Sequence, residues 1–138
     1  MTVDPGFASA LQAHSIELED AVACRLEAYV RVLWDWNERL NLTRHTTWDL
    51  FVSRDLRDCL QLAPLIRSGE DVLDLGSGNG IPGIPLCILR ADIEVSLAES
   101  VAKRAKALGE IIGDLGPVSY TQLTLPTTCT TCITRCER

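Results

Sequence analysis

A short apolar run ends in a burst of glycine at Asp74-Leu75-Gly76-Ser77-Gly78-Asn79-Gly80, and this junction constrains the fold more than any other part of the chain. The run before it, Asp71 to Leu75, follows the turn signal Ser68-Gly69 and reads as a buried strand. After it, Pro82 to Leu89 is apolar enough for a helix laid on a sheet, and its two prolines fall in the first turn, where a missing N–H does little harm. Glycines between strand and helix let the backbone turn tightly and let a ligand approach without meeting side chains. That arrangement implies a nucleotide-like ligand. A dinucleotide fingerprint, GxGxxG, counted from Gly76 would place its third glycine at 81, where the chain has Ile81; the glycines fall instead as GxGxG, which favours adenosylmethionine over NAD.

The next strand spans Ile93 to Ala98, and Glu99 closes it 23 residues after Gly76. A carboxylate there can accept both ribose hydroxyls of an adenosine ligand. Ser100 is placed to cap a further helix, with Val101, Ala105, Leu108 and Ile112 on one face. Strand, helix, strand and helix with short links open a parallel, doubly wound sheet. The bland reading is that the glycines only make a tight turn and that Glu99 is a solvated end-of-strand acid. Strand, helix and acid at the right distance together favour the ligand.

Residues 1–68 form an N-terminal helical extension. From Glu19 to Leu40, Val22, Leu26, Tyr29, Val30, Leu33, Trp36 and Leu40 recur in steps of three and four, one stripe of a long helix, while Glu19, Glu27, Arg31, Asp35 and Glu38 face water. A second helical stretch starts at Thr47, an N-cap with Asp49 in the first turn, and runs to Leu62 before Pro64. Trp34, Trp36 and Trp48 read as packing rather than base-stacking residues, and His14 and His45 as isolated surface or capping residues. Residues 69–115 form the first half of the nucleotide-binding unit.

From Gly116 the texture shifts. The segment 117–138 holds seven threonines, three cysteines and two prolines with no clean period, and is expected not to continue the fold but to be non-native or disordered, like the read-through of an adapter or a frameshifted end. Its CxxCxxxC, Cys129, Cys132 and Cys136, lacks the fourth ligand a structural zinc wants, so no metal is assigned. Cys24, Cys59 and Cys87 sit among apolar neighbours as core thiols.

Net charge is −6, with 13 basic against 19 acidic side chains, so bulk electrostatic gripping of nucleic acid is disfavoured. Lys103, Arg104 and Lys106 make the best local basic signal, although a solvated face accounts for them better than an RNA contact does. No apolar run approaches the ~18 to 20 residues of a membrane span, and the N-terminus lacks the look of a secretory signal; the expected address is the cytoplasm, with no membrane partner.

The segments LWDWNERLNLT, RDLRDCLQLAPLI, VLDLGSGNGIPGIPLCILR and VSLAESVAKRAKAL together resemble the RsmG (GidB) family of small-subunit ribosomal RNA guanine-N7 methyltransferases, PGIP after the glycine loop being the most specific part. The resemblance covers roughly residues 15–112. It implies an α/β fold, an incomplete Rossmann-like class I methyltransferase sheet behind the N-terminal helical extension. It also implies S-adenosyl-L-methionine as cofactor, 16S rRNA of the small ribosomal subunit as partner, N7 of one guanine in the 530 loop as target, and a monomer when complete. By similarity, Gly76 and Ile81 contact the cofactor, Gly78 and Gly80 shape the loop, Asp74 and Ser77 belong to the same site, and Glu99 takes the ribose. The chain departs from the family at Arg54-Asp55, where an arginine–histidine pair is usual, and stops before the family's later strands with their adenine-contacting acids. No catalytic residue is assigned, because guanine N7 carries a lone pair and displacement at the sulfonium methyl needs mainly alignment. Two alternatives stay open: a non-catalytic helical interaction module with a vestigial nucleotide loop, and an NAD-dependent oxidoreductase. Two strands cannot bury both faces of such a sheet, so marginal stability and exposed apolar surface are expected.

Overall fold

The computed structural model describes residues 2–115 and the strands at 120–124 and 132–137. Helix α1 (Pro5–Ala13), which the sequence pattern did not reveal, is capped by Asp4, whose carboxylate accepts from the Gly6 and Phe7 amides, with Pro5 in the first turn. Helix α2 (Asp20–Leu40) follows its apolar stripe: Leu26, Tyr29, Val30 and Leu33 are buried, and Asn41 ends it in the left-handed conformation. Arg31 on the opposite face bridges Glu27 and Asp4, each at 2.8 Å, and so ties α1 to α2.

The stretch expected as one helix from Thr47 to Leu62 is helical in three styles. Thr47 does cap it, accepting from the Leu50 amide. A short α3 (Trp48–Leu50) passes into a π-helical segment, Phe51–Leu56, then α4 (Arg57–Leu62) and a 3₁₀ turn, Ala63–Leu65, that absorbs Pro64. Phe51, Val52 and Leu56 are buried in the π segment, whose wider turn brings three large side chains to the core in close succession. Phe7 and Trp34 both pack on Trp48, with ring centroids 4.8 and 4.6 Å apart, and Trp34, Trp36 and Trp48 all lie against the core, so the three tryptophans do serve packing.

Strand β1 (Asp71–Leu75) pairs in parallel with β2 (Glu94–Glu99), Asp71 opposite Glu94 and Leu75 opposite Ala98. Helix α5 (Gly83–Leu89) crosses between them, and α6 (Ala102–Asp114) follows β2. This is an incomplete Rossmann-like α/β sheet with N-terminal helices. The second edge of β2 pairs antiparallel with β4 (Cys132–Glu137), which pairs antiparallel with β3 (Tyr120–Thr124), giving the order β1-β2-β4-β3. Those two strands lie where the sequence pattern offered no regular element: strand pairing satisfies backbone groups of the chain and does not require alternation in the sequence.

The described helices cover one face of the sheet. Asp74 on β1 accepts from the Gly83 amide of α5, so the even-numbered side of β1 faces the helices. Leu73 and Leu75 point the other way, 54% and 74% exposed. The doubly wound expectation is thus met on one side among the described residues. The core runs continuously from Phe7, Leu26 and Phe51 through Ile84 and Leu86 to Val95, Leu97, Leu108 and Ile111, so the N-terminal helices share one core with the sheet layer. Cys59 is buried as expected, whereas Cys24 and Cys87 are half-buried. No helix among the described residues is long and apolar enough to cross a membrane.

Candidate cofactor site

The polypeptide leaves β1 at Leu75 and turns in three left-handed steps, with φ of +72° at Gly76, +55° at Gly78 and +86° at Gly80. Glycine, with no Cβ, takes such angles at the least cost. Gly76 and Ser77 donate their amides to the same carbonyl, Ala98 on β2, at 2.7 and 3.0 Å, so the loop begins as a hook over the end of the neighbouring strand. Ser77 is buried, and its hydroxyl donates to the Asp74 carbonyl at 2.9 Å. The Gly80 amide closes the turn onto the Ser77 carbonyl at 2.8 Å, and the Asn79 side chain accepts from the Ile81 amide at 3.1 Å.

Glu99 comes to this loop from the end of β2. One carboxylate oxygen accepts from the Gly78 amide at 2.8 Å and the other from the Val101 amide at 2.9 Å. The cap expected from Ser100 is not formed: the helix boundary falls at Val101, whose side chain makes no capping bond. Glu99 is 4% exposed and so is not the solvated acid of the bland reading. Each of its oxygens has a second lone pair for a further donor. A Cβ on Gly76 would meet nothing within 4 Å, whereas one on Gly80 would stand 2.5 Å from Ile84 and 3.2 Å from Leu108. The loop is therefore open on the Gly76 side and packed on the Gly80 side.

Asp74, Ser77, Gly78, Gly80 and Glu99 are thus brought into one hydrogen-bonded junction, with Gly76 and the half-buried Ile81 at its two ends. Burial, with a lesser push from Glu99, raises the Asp74 carboxyl above the ordinary carboxylate value, while the Gly83 amide pulls the other way. Gly83, the glycine of PGIP, lets α5 approach: a Cβ there would run into the Leu97 side chain and come within 2.9 Å of the Asp74 carboxylate.

Beneath the loop lie two groups that the sequence assigned only to the core. The Tyr29 hydroxyl, from α2, donates to the Asn79 carbonyl at 2.7 Å, and the Cys59 thiol, from α4, to the Pro82 carbonyl at 3.9 Å. Burial first, then Asp55, Asp58 and Asp74, pushes the Cys59 thiol up to about 12, so it stays a protonated donor. The one signal for Tyr29 in the sequence is a phenol on an apolar stripe, a hydroxyl that must find an acceptor once buried. His45 is not isolated: Asp55 holds its Nδ1 at 2.9 Å, and His14 meets Asp49 at 2.8 Å. A groove between α1 and α2, lined by Val3, Leu11, Ile16, Leu18 and Ala23, shares no residue with the loop. Among the described residues no cluster of histidine, cysteine and acid is placed to hold a metal, and the side chains of Cys129, Cys132 and Cys136 lie outside those described.

Comparison with known proteins bears on this junction. The family model GidB, described as rRNA small subunit methyltransferase G, matches residues 23–124. Proteins named ribosomal RNA small subunit methyltransferase G are 60% identical in Rhodopirellula baltica, over 82% of this chain and 49% of that protein, and 37% identical in Chromobacterium violaceum, over 74% and 49%. A third, in Sorangium cellulosum, is 37% identical over 84% of this chain and 50% of its own length. The chain spans about half the length of the curated relatives it matches. The matched residues contain α2 from Ala23 onward, the glycine loop and Glu99, and with them the chain belongs to the rRNA small subunit methyltransferase G (GidB) family.

Proposed function

We propose that this chain carries the S-adenosyl-L-methionine-binding half of an rRNA methyltransferase that methylates N7 of a guanine in the 530 loop of 16S rRNA. The observation that carries the reading is the Glu99 carboxylate held against the Gly78 amide at 2.8 Å, beneath a left-handed glycine loop that is open at Gly76. The residues present fit an adenosyl group: free lone pairs on Glu99 suit a ribose diol, and bare backbone at Gly76 admits close approach. Bound there, S-adenosylmethionine would supply an activated methyl group on a sulfonium. The chain's own part is to hold and orient. Gly76 and Ile81 border the ligand, Gly78 and Gly80 set the loop, Asp74 and Ser77 brace it from below, and Glu99 takes the ribose. No proton has to be moved by a side chain, because N7 attacks with its own lone pair. The partner would be the small ribosomal subunit, met in the cytoplasm by a monomer.

Calorimetric titration with S-adenosylhomocysteine tests this. Binding is expected to be weak for the chain itself, whose sheet leaves Leu73 and Leu75 uncovered, and clear for the chain extended by the C-terminal half of its Rhodopirellula baltica relative. Absence of binding by the extended protein overturns the reading.

A further inference from the structure

We propose that Tyr29 is a positioning residue for the glycine loop, by which helix α2 sets the orientation of the peptide between Asn79 and Gly80. The proposal rests on the cofactor reading for its purpose, though not for its geometry. Asn79 is flanked by Gly78 at φ +55° and Gly80 at φ +86°, residues with little local preference for one peptide orientation over its flip. The peptide is held at both ends. Its carbonyl accepts from the Tyr29 hydroxyl at 2.7 Å, and its N–H, that of Gly80, donates to the Ser77 carbonyl at 2.8 Å. Tyr29 is fully buried and lies 50 residues away in sequence, so the contact exists only because α2 packs beneath the sheet layer.

The phenol is suited to the task in two ways. Its ring is locked in the shared core, which removes the entropy cost of holding a donor in place. Burial, with Cys59, Asp55 and Asp74 around it, also keeps the hydroxyl protonated, so that it donates throughout the working pH range. Without the hydroxyl, the Asn79 carbonyl is left without its donor, and the peptide is drawn to turn toward water. Ser77 then loses its partner as well, and the ligand side of Gly76 to Gly80 loses its fixed shape. The N-terminal helices would in this way act on the cofactor site without touching a ligand.

The test is Tyr29→Phe in the full chain, with amide hydrogen exchange read residue by residue. The Gly80 amide is expected to exchange roughly tenfold faster, while Leu26 and Leu33 in α2 keep their protection. S-adenosylhomocysteine, titrated into the extended protein, should bind roughly 3- to 10-fold more weakly in the variant. Unchanged Gly80 exchange overturns the proposal, as does an equal acceleration in α2 and loop, the mark of a merely structural role. If Tyr29→Phe does not fold, 3-fluorotyrosine incorporation supplies a stronger donor of nearly the same shape at Tyr29. Slower Gly80 exchange then supports the contact, and no change overturns it. Should the extended wild-type protein bind no S-adenosylhomocysteine, the cofactor reading fails, while the exchange data still decide what Tyr29 does.

Discussion

Replacing Gly83 by alanine tests how closely α5 must lie on β2. The glycine opens α5 with ordinary helical geometry, so an alanine meets no backbone strain, and by helix propensity alone it would gain roughly 0.5–1 kcal/mol. Its Cβ, however, would run into the Leu97 side chain, 2% exposed on β2, and stand 2.9 Å from the Asp74 carboxylate and 3.4 Å from the Asp74 Cβ. Neither neighbour can yield freely. Leu97 is packed in the core, and Asp74 is bonded to the Gly83 amide at 3.2 Å. Overpacking of this kind costs about 1–3 kcal/mol, and with two neighbours met at once the upper part of that range, about 2–3 kcal/mol, applies, so the net expectation after the propensity gain is a destabilisation of about 1–2 kcal/mol. At roughly 4 °C per kcal/mol for a domain of this size, Tm falls by roughly 4–8 °C. Gly113→Ala is the control. It lies in α6 with nothing within 4 Å of its would-be Cβ, and should stabilise by roughly 0.5–1 kcal/mol. Urea unfolding followed by the fluorescence of Trp34, Trp36 and Trp48, all half-buried, measures both. A Gly83→Ala protein as stable as wild type would refute the close docking and the account of PGIP built on it.

Glu99→Gln keeps one acceptor but turns an amide N–H toward a backbone N–H of Gly78 or Val101; urea unfolding should show a loss of about 1–3 kcal/mol, and a difference under about 0.5 kcal/mol would show that the two bonds matter little. Asp74 has its carboxyl raised by burial, so between its unfolded and folded values the native state binds more protons and stability falls as pH rises through that window. Unfolding free energy measured against pH should therefore slope less in Asp74→Asn, and parallel curves would contradict the burial argument. Cys59, raised to about 12, carries a thiolate fraction of roughly 10⁻⁴ at pH 8 and should resist iodoacetamide until the chain is unfolded in urea, as peptide mass spectrometry would show. Alkylation of Cys59 in the folded chain at the rate of an ordinary thiol would place it outside the core.

Much of the fold is legible in the chain because periodicity and glycine punctuation are local. The helix read from Glu19 to Leu40 predicts α2 to within one residue of its observed start at Asp20, and the apolar runs at 71–75 and 93–98 predict β1 and, within a residue at each end, β2. Helix α1 escaped because its apolar positions are few and its start depends on Asp4 capping, which is plain only once the Gly6 and Phe7 amides are placed. The π segment at Phe51–Leu56 escaped because one added residue per turn leaves almost no trace in a short apolar pattern. At the glycine loop, Ser77 faces inward and Glu99 is already engaged by two amides, neither of which the residue spacing foretold. His45 found Asp55, and Tyr29 found Asn79, across 10 and 50 residues of chain.

What the sequence determined alone was the strand-to-helix turn: glycines at 76, 78 and 80 allow left-handed angles that other residues resist, and that preference belongs to each residue wherever the chain goes. What only the tertiary structure decided was which distant groups hold the turn in one shape, Glu99 from β2, Tyr29 from α2 and Cys59 from α4. Buried donors and acceptors must be paired, but the partner is chosen by packing of the whole core, and no spacing along the chain records that choice.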